Sequence, residues 1–321
     1  MSYYDRALEL KDELIENRRY LHSHAEAGLT LPNTVAYVEK KLREYGIEPE
    51  RCGEGVTALI GKGGKVLLLR ADMDALEMPE ESGLAFASMN PQTAHCCGHD
   101  MHTAMLLTAA KMLKEHESEL QGTVKLMFQP GEECLIGSQN MLENGILENP
   151  KVDAALAYHV GPGKLPIGMF MYNDNSTMMY SNNEFSVTVK GKGGHGAMPH
   201  LTIDPITAAA HIQVGLAELH SRELEPGTFG VVTTGMFHAG GAPNVIADNA
   251  VMEGTIRTGD IKVEKMLMDR LTEIAKTIAK AYRCEADVEF VKHCPPMISD
   301  MEVGAATTKY MKELLGDGAV P

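Results

Sequence analysis

Apolar positions recur at helical spacing twice near the start of the chain. Leu8, Leu14, Ile15 and Leu21 mark the stretch Asp5 to Tyr20, and Val35, Val38 and Leu42 mark Asn33 to Tyr45, where Gly46 closes the pattern. Both stretches are expected to be helices preceding the first core strand. That strand is Lys65 to Arg70, KVLLLR, a continuous apolar run after Gly61, Gly63 and Gly64. Such a run marks a strand buried on both faces. Thr123 to Phe128 (TVKLMF) and Val152 to Ala157 (VDAALA) repeat it. A helical pattern beginning near His102 precedes them, and another, Gly137 to Leu147, lies between them. Strands alternating with helices predict an α/β domain built on a mainly parallel sheet with helices on both faces.

After Tyr172 the texture turns polar and hinge-like, through Asn173, Asn175, Ser176, Ser181, Asn182 and Asn183. A second series follows: strand Glu184 to Lys190, helix Asp204 to Leu219, strands Phe229 to Phe237 and Ala250 to Arg257, helix Val263 to Tyr282, and strand Glu285 to Val291. The order βαββαβ is the ferredoxin-like pattern, one antiparallel sheet with two helices on one face. Cys294-Pro295-Pro296 then stops the strand. The expected organisation is a first domain at 1–181, an inserted domain at 182–293, and a return to the first domain at 294–321.

A chain of 321 residues fits two domains better than one core. Its 29 Lys and Arg stand against 44 Asp and Glu, a formal charge of −15, and no basic patch interrupts it. Nucleic acid and anionic membrane surfaces are therefore excluded as partners. The polar, charged start from Met1 to Asp12 carries no apolar leader, so the expected compartment is the cytoplasm. Six scattered cysteines suit reduced thiols rather than a disulfide framework. Thirteen histidines change the picture more, because several lie within three residues of a Cys, a Glu or another His.

Three such clusters directly follow predicted parallel strands: Asp72 and Asp74 in RADMD, Glu132 and Glu133 in FQPGEE, and His159 in AYHV. The carboxyl ends of parallel strands face the ligand crevice, so these side chains converge from distant parts of the sequence. A fourth cluster is His95-Cys96-Cys97-Gly98-His99-Asp100-Met101-His102, where Gly98 permits a tight turn before a helix. Thiolate and imidazole suit zinc and its neighbours, and carboxylates complete or bridge such sites. A cysteine nucleophile activated by histidine is the alternative. Two adjacent carboxylates on the same rim favour the metal, since one can hold an ion while the other takes a proton from water.

Taken in order, RADMDAL, HCCGHDMHTA, FQPGEE, AYHV, GKGGHGAMPH and NVIADNAVMEGTIRT resemble one family. It is the aminoacylase, hippurate hydrolase and indole-acetyl-amino-acid hydrolase branch of the dinuclear metallopeptidases that include glutamate carboxypeptidase. The resemblance runs from LHSHAEAG to at least Pro296. It implies an amidohydrolase that releases an amino acid from a small N-acyl-amino acid by metal-activated water, with a catalytic domain and a smaller lid domain that forms a homodimer. It implies two divalent ions, drawn from zinc, manganese, cobalt or nickel. Cys97 would bridge them, His99, Glu133 and His159 would be further ligands, Glu132 the general base, and Asp74 the residue orienting a ligand. In the lid, His195 would reach across the dimer to stabilise the oxyanion, and Asn244 and Arg257 would bind the substrate carboxylate.

The chain departs from that family's pattern at Cys96, Met101, Gly131 and Ala25. The pattern also continues for several dozen residues past the position of Pro321 and carries a last metal-ligand histidine there. The 321-residue chain is accordingly expected to hold one ion weakly, to turn over slowly, and to be less stable than an extended form. A dipeptidase or carboxypeptidase on the same scaffold, or a catalytically impaired binding protein, are the alternative functions.

Overall fold

The computed structural model describes residues 2–161, 166–172 and 177–320. Asn173, Asn175 and Ser176 of the hinge-like stretch lie outside the described residues. The chain divides into two compact units, residues 1–169 and 170–321.

In the first unit, the single helix expected over Asp5 to Tyr20 is two, α1 (Tyr3–Glu9) and α2 (Lys11–Ser23), separated where Leu10 adopts φ −85°, ψ 2°. Ser2 and Asp5 close a reciprocal capping box at the start of α1. Helix α3 (Pro32–Glu44) follows as expected. The strands are β1 (Pro49–Cys52), β2 (Gly55–Gly61), β3 (Val66–Asp72), β4 (Thr123–Gln129) and β5 (Ala154–Ala157), in sheet order β1-β2-β4-β3-β5. Strand β3 is parallel to both β4 and β5, whereas β1, β2 and β4 pair antiparallel, so the sheet is mixed. The β1–β2 hairpin was not expected. Its turn at Gly53 takes φ +57°, a conformation glycine reaches without strain.

Alternation along the strands divides the core in two. Val56, Ala58, Ile60, Val124, Leu126 and Phe128 face Val35, Val38 and Leu42 of α3 and Leu106, Leu107 and Ala110 of α4 (His99–Glu115). Leu68 and Met127 face the other way, onto Met141 of α5 (Gly137–Glu143) and Ile146. Helices thus cover both faces, and β4 is buried along its whole length. Truncating the fully buried Phe128 to Ala would cost about 3–5 kcal/mol. Strand β5, expected to be fully buried, is an edge strand with alternate residues exposed. Because β3, β4 and β5 run parallel, the segments leaving Asp72, Gln129 and Ala157 emerge at one edge of the sheet.

The second unit contains β6 (Thr177–Met179), β7 (Asn182–Lys190), β8 (Gly194–His195), α6 (Pro205–Glu218), β9 (Gly230–Ala239), β10 (Val245–Ile246), β11 (Asn249–Thr258), α7 (Ile261–Ala281), β12 (Glu285–Cys294), β13 (Met297–Ile298) and α8 (Met301–Leu315). The sheet order β12-β7-β11-β9, antiparallel throughout, is the ferredoxin-like arrangement of βαββαβ. Alternate residues of β7, Phe185, Val187 and Val189, meet Ala208 and Ile212 of α6 and Leu267, Leu271 and Ala275 of α7 in one core. Asp204 and Asp260 cap the two helices by accepting from N–H groups of their first turns. Two short pairs, β8 with β10 and β6 with β13, flank this sheet. Among the described residues no helix is long and apolar enough to cross a membrane.

Candidate metal centre

The centre is assembled on the segments that leave β3, β4 and β5 and on the turn that opens α4. Asp74, completely buried, accepts the backbone N–H groups of Glu132 and Glu133 on its two carboxylate oxygens, each at 3.0 Å. One aspartate therefore fixes the peptide planes from which both glutamates project. Helix α4 starts at His99, three residues earlier than the apolar pattern indicated, because Gly98 at φ +87° reverses the chain just before it. Only a glycine fits there. A Cβ on Gly98 would stand 2.3 Å from Val160 Cγ2, and the left-handed conformation disfavours every other residue.

His99 is 1% exposed. Its Nδ1 donates to the Asp74 carbonyl at 2.8 Å, so in the neutral ring the lone pair is on Nε2. That Nε2 is buried without a hydrogen-bond partner, 3.9 Å from Glu133 Oε1 and 4.0 Å from Glu132 Oε2, and Glu133 Oε1 is buried without a partner as well. On the other side, Cys97 Sγ lies 3.4 Å from His159 Nε2. Donor atoms of Cys97, His99 and His159 fall within 4.8 Å of one another, and so do those of His99, Glu132 and Glu133. His99 is common to both groups. A buried imidazole nitrogen and carboxylate oxygens that face one another without hydrogen bonds call for a positive charge between them, supplied by a proton on the ring or by a bound cation. Thiol, imidazole and carboxylate are also the donor types zinc and its neighbours take, so these residues fit divalent ions.

The electrostatics agree. Burial, reinforced by the charges of Glu133 and Glu132, pushes the Cys97 thiol up to about 12. Burial alone would lower the basicity of His99, but Asp74 and Asp72 outweigh it and raise that imidazole to about 9. Burial raises Glu132 above the ordinary carboxylate range, the direction a general base needs. Asp72 moves the opposite way. Its burial is outweighed by the hydrogen bond from His102 and the charge of Arg70, which hold it at about 2.

His195, Asn244 and Arg257 belong to the second unit. β8 places His195 opposite Val245, and Gly196 N–H donates to the Asn244 carbonyl at 2.8 Å, so His195 and Asn244 are neighbours. Arg257 lies on β11 opposite Val231 and donates to the Ser181 carbonyl at 3.3 Å. Sequence reasoning missed a buried network behind α4. Asp100 accepts from His22 Nδ1 at 2.8 Å and pairs with Arg18 Nε at 2.7 Å, while His22 Nε2 meets Glu80 Oε1 at 3.1 Å. The available signal was Arg18 and His22 four residues apart on one face of α2. His95 is buried nearby, kept neutral by that burial at about 4.

A thiol, imidazoles and paired carboxylates gathered at the strand ends of an α/β sheet, in a chain that also carries a ferredoxin-like unit, define a metal-dependent hydrolase of the metallopeptidase class. The chain belongs to peptidase family M20/M25/M40, whose sequence pattern matches residues 68–321. An N-acetyl-L-cysteine deacetylase of Bacillus subtilis is 36% identical over 295 residues, which span 91% of this chain and 70% of the relative. An IAA-amino acid hydrolase of Arabidopsis thaliana is 38% identical over 309 residues, 95% of this chain and 69% of the relative. Among solved structures, a dinuclear metal binding peptidase of the M20 family from Bacillus subtilis superposes with a TM-score of 0.80 at 33% identity, covering 94% of this chain and 80% of the other.

Proposed function

We propose that the protein hydrolyses the amide bond of small N-acyl-amino acids, freeing the acyl acid and the amino acid. The observation that carries this reading is Asp74 holding Glu132 and Glu133 side by side near His99, an arrangement in which one carboxylate can accept a proton while the other ligates. Cys97, His99, Glu133 and His159 would hold two divalent ions, with zinc, manganese, cobalt and nickel the candidates for such donors. When bound, such ions polarise the scissile carbonyl and lower the pKa of a water molecule. Glu132, its proton affinity raised by burial, takes the proton of the attacking water and delivers it to the departing nitrogen as the C–N bond breaks. The relatives named for N-acetylcysteine and IAA-amino acids support an acylated amino acid as the substrate class.

In the second unit, His195 Nδ1 accepts the N–H of Ala197 at 3.1 Å, so the neutral ring carries its proton on Nε2. That N–H is a donor suited to an oxyanion. The Arg257 guanidinium, with Asn244, suits the substrate carboxylate. We assign 182–293 as the lid, with homodimer formation through the edge strand β9 and His195 serving the second copy. A reducing cytoplasm would keep the Cys97 thiol available as a ligand. Incubation with N-acetyl-L-cysteine, a benzoyl amino acid and free dipeptides, before and after chelation and metal return, tests the reading. Chelator-sensitive release of amino acid from the acylated substrates is expected. Preferential cleavage of free dipeptides would transfer the protein to the dipeptidase alternative.

A further inference from the structure

His102 lies one helical turn after Gly98, and both of its ring nitrogens are engaged. Nδ1 meets Asp72 Oδ1 at 2.6 Å, and Nε2 accepts the backbone N–H of Val160 at 2.9 Å. An imidazole nitrogen that accepts an amide proton carries no proton in the neutral ring, so the proton sits on Nδ1 and is donated to Asp72. Asp72 is itself anchored. Its Oδ2 pairs with Arg70 at 2.7 Å, and its carbonyl accepts from Thr103 Oγ1 at 2.8 Å.

The peptide that His102 grips leads directly to His159. The Val160 carbonyl accepts from His159 Nδ1 at 2.8 Å, which places the lone pair of His159 on Nε2, the atom 3.4 Å from Cys97 Sγ. The two imidazoles also pack edge to face, with ring centroids 4.6 Å apart at 71°. The arrangement matters because β5 is an edge strand and His159 is exposed, so packing alone does not orient the ring. Gly98 completes the device by letting Val160 approach to a distance that a Cβ would forbid.

We infer that His102 is a positioning residue: through the Val160 peptide, the Arg70–Asp72–His102 chain selects the tautomer and direction of His159 and presents its Nε2 to the metal. This rests on His159 being a ligand. It excludes His102 from the ligand set, although Asp72, His99 and His102 also bring donor atoms within 4.8 Å of one another.

The test is zinc affinity, measured by competition with a chromophoric chelator at constant pH, on the whole chain and three substitutions. His102→Gln can keep an acceptor for Val160 N–H, His102→Asn can keep only a donor to Asp72, and His102→Leu keeps neither. Removing a group that orients a ligand typically weakens metal binding by about 10–100-fold. His102→Leu and His102→Asn should show that loss, and His102→Gln should stay within about fivefold of the parent. Should His102→Leu fail to fold, the contrast between Gln and Asn carries the test. In the metal-free protein, the ¹⁵N resonances of His159 should report a proton on Nδ1, and this preference should fade in His102→Asn.

Parent-like affinity in His102→Asn, while His159→Ala loses zinc, would overturn the relay. Loss of a whole zinc equivalent in His102→Gln would make His102 a ligand and also overturn it. Unchanged zinc binding in His159→Ala would overturn the ligand assignment itself, and the relay with it.

Discussion

Asp74→Asn changes one atom in the most constrained part of the centre. The wild-type carboxylate accepts two backbone N–H groups, from Glu132 and Glu133, in a site with no solvent exposure. Asparagine keeps one acceptor oxygen but turns an NH₂ donor toward the other N–H. Hydrogen bonds to a charged group contribute about 1.5–3 kcal/mol each, and a buried donor left unpaired costs about 1–3 kcal/mol. One bond lost and one weakened give a local destabilisation of about 2–4 kcal/mol, since the turn can relax to recover part of the loss. At about 1.4 kcal/mol per factor of ten, amide exchange at Glu132 and Glu133 should accelerate by roughly 30- to 700-fold. The assay is hydrogen exchange resolved to the peptide spanning 130–135 in metal-free protein, with exchange in β7 of the other unit as the internal control. Unchanged exchange at 132 and 133, with Asp74→Asn folded, would refute the claim that Asp74 suspends the two glutamates.

Other consequences follow from the same geometry. Cys97 at about 12 and His99 at about 9 are both protonated at pH 7.5, so metal binding should release close to two protons per chain, roughly, and tighten as pH rises. Calorimetry in buffers of different ionisation enthalpy measures this, and release of under about one proton would contradict it. Glu80 is pushed up by burial but held down at about 2, from an ordinary 4.5, by Ser82, Ser88 N–H and His22. Its contribution to stability is therefore fully present above pH 4.5 and lost as pH falls toward 2. Glu80→Gln should be less stable than the parent near pH 6 and converge with it near pH 2 in denaturant titrations, and a gap independent of pH would count against this. Gly98→Ala should destabilise by more than the roughly 1–2 kcal/mol of a left-handed residue, because its Cβ also meets Val160. A thermal scan showing no loss would refute the close approach.

The ferredoxin-like unit was legible almost residue by residue, because β7, β11 and the helices α6 and α7 carry one clean period each. The first unit was legible where strands are buried on both faces, as in β3 and β4. The hairpin escaped because β1 is four residues, PERC, with no apolar run, and its partner β2 was masked by the glycines around it. The candidates Cys97, His99, Glu132, Glu133 and His159 stood out because each follows a strand or precedes a helix, and the fold brings their donor atoms together. Roles that depend on contacts between distant segments were not. His22 and Asp100 are 78 residues apart, and His102 and Val160 are 58 apart, and no local pattern encodes their meeting.

In the proposed function two adjacent glutamates divide the chemistry, Glu133 binding metal and Glu132 moving the proton. Metal content and amino-acid release from an N-acyl-amino acid, measured together on Glu132→Gln and Glu133→Gln, test it most directly. Glu132→Gln should retain its metal while losing about 10²–10⁴-fold in turnover, and Glu133→Gln should lose metal. Metal lost from Glu132→Gln and kept by Glu133→Gln would contradict the assignment.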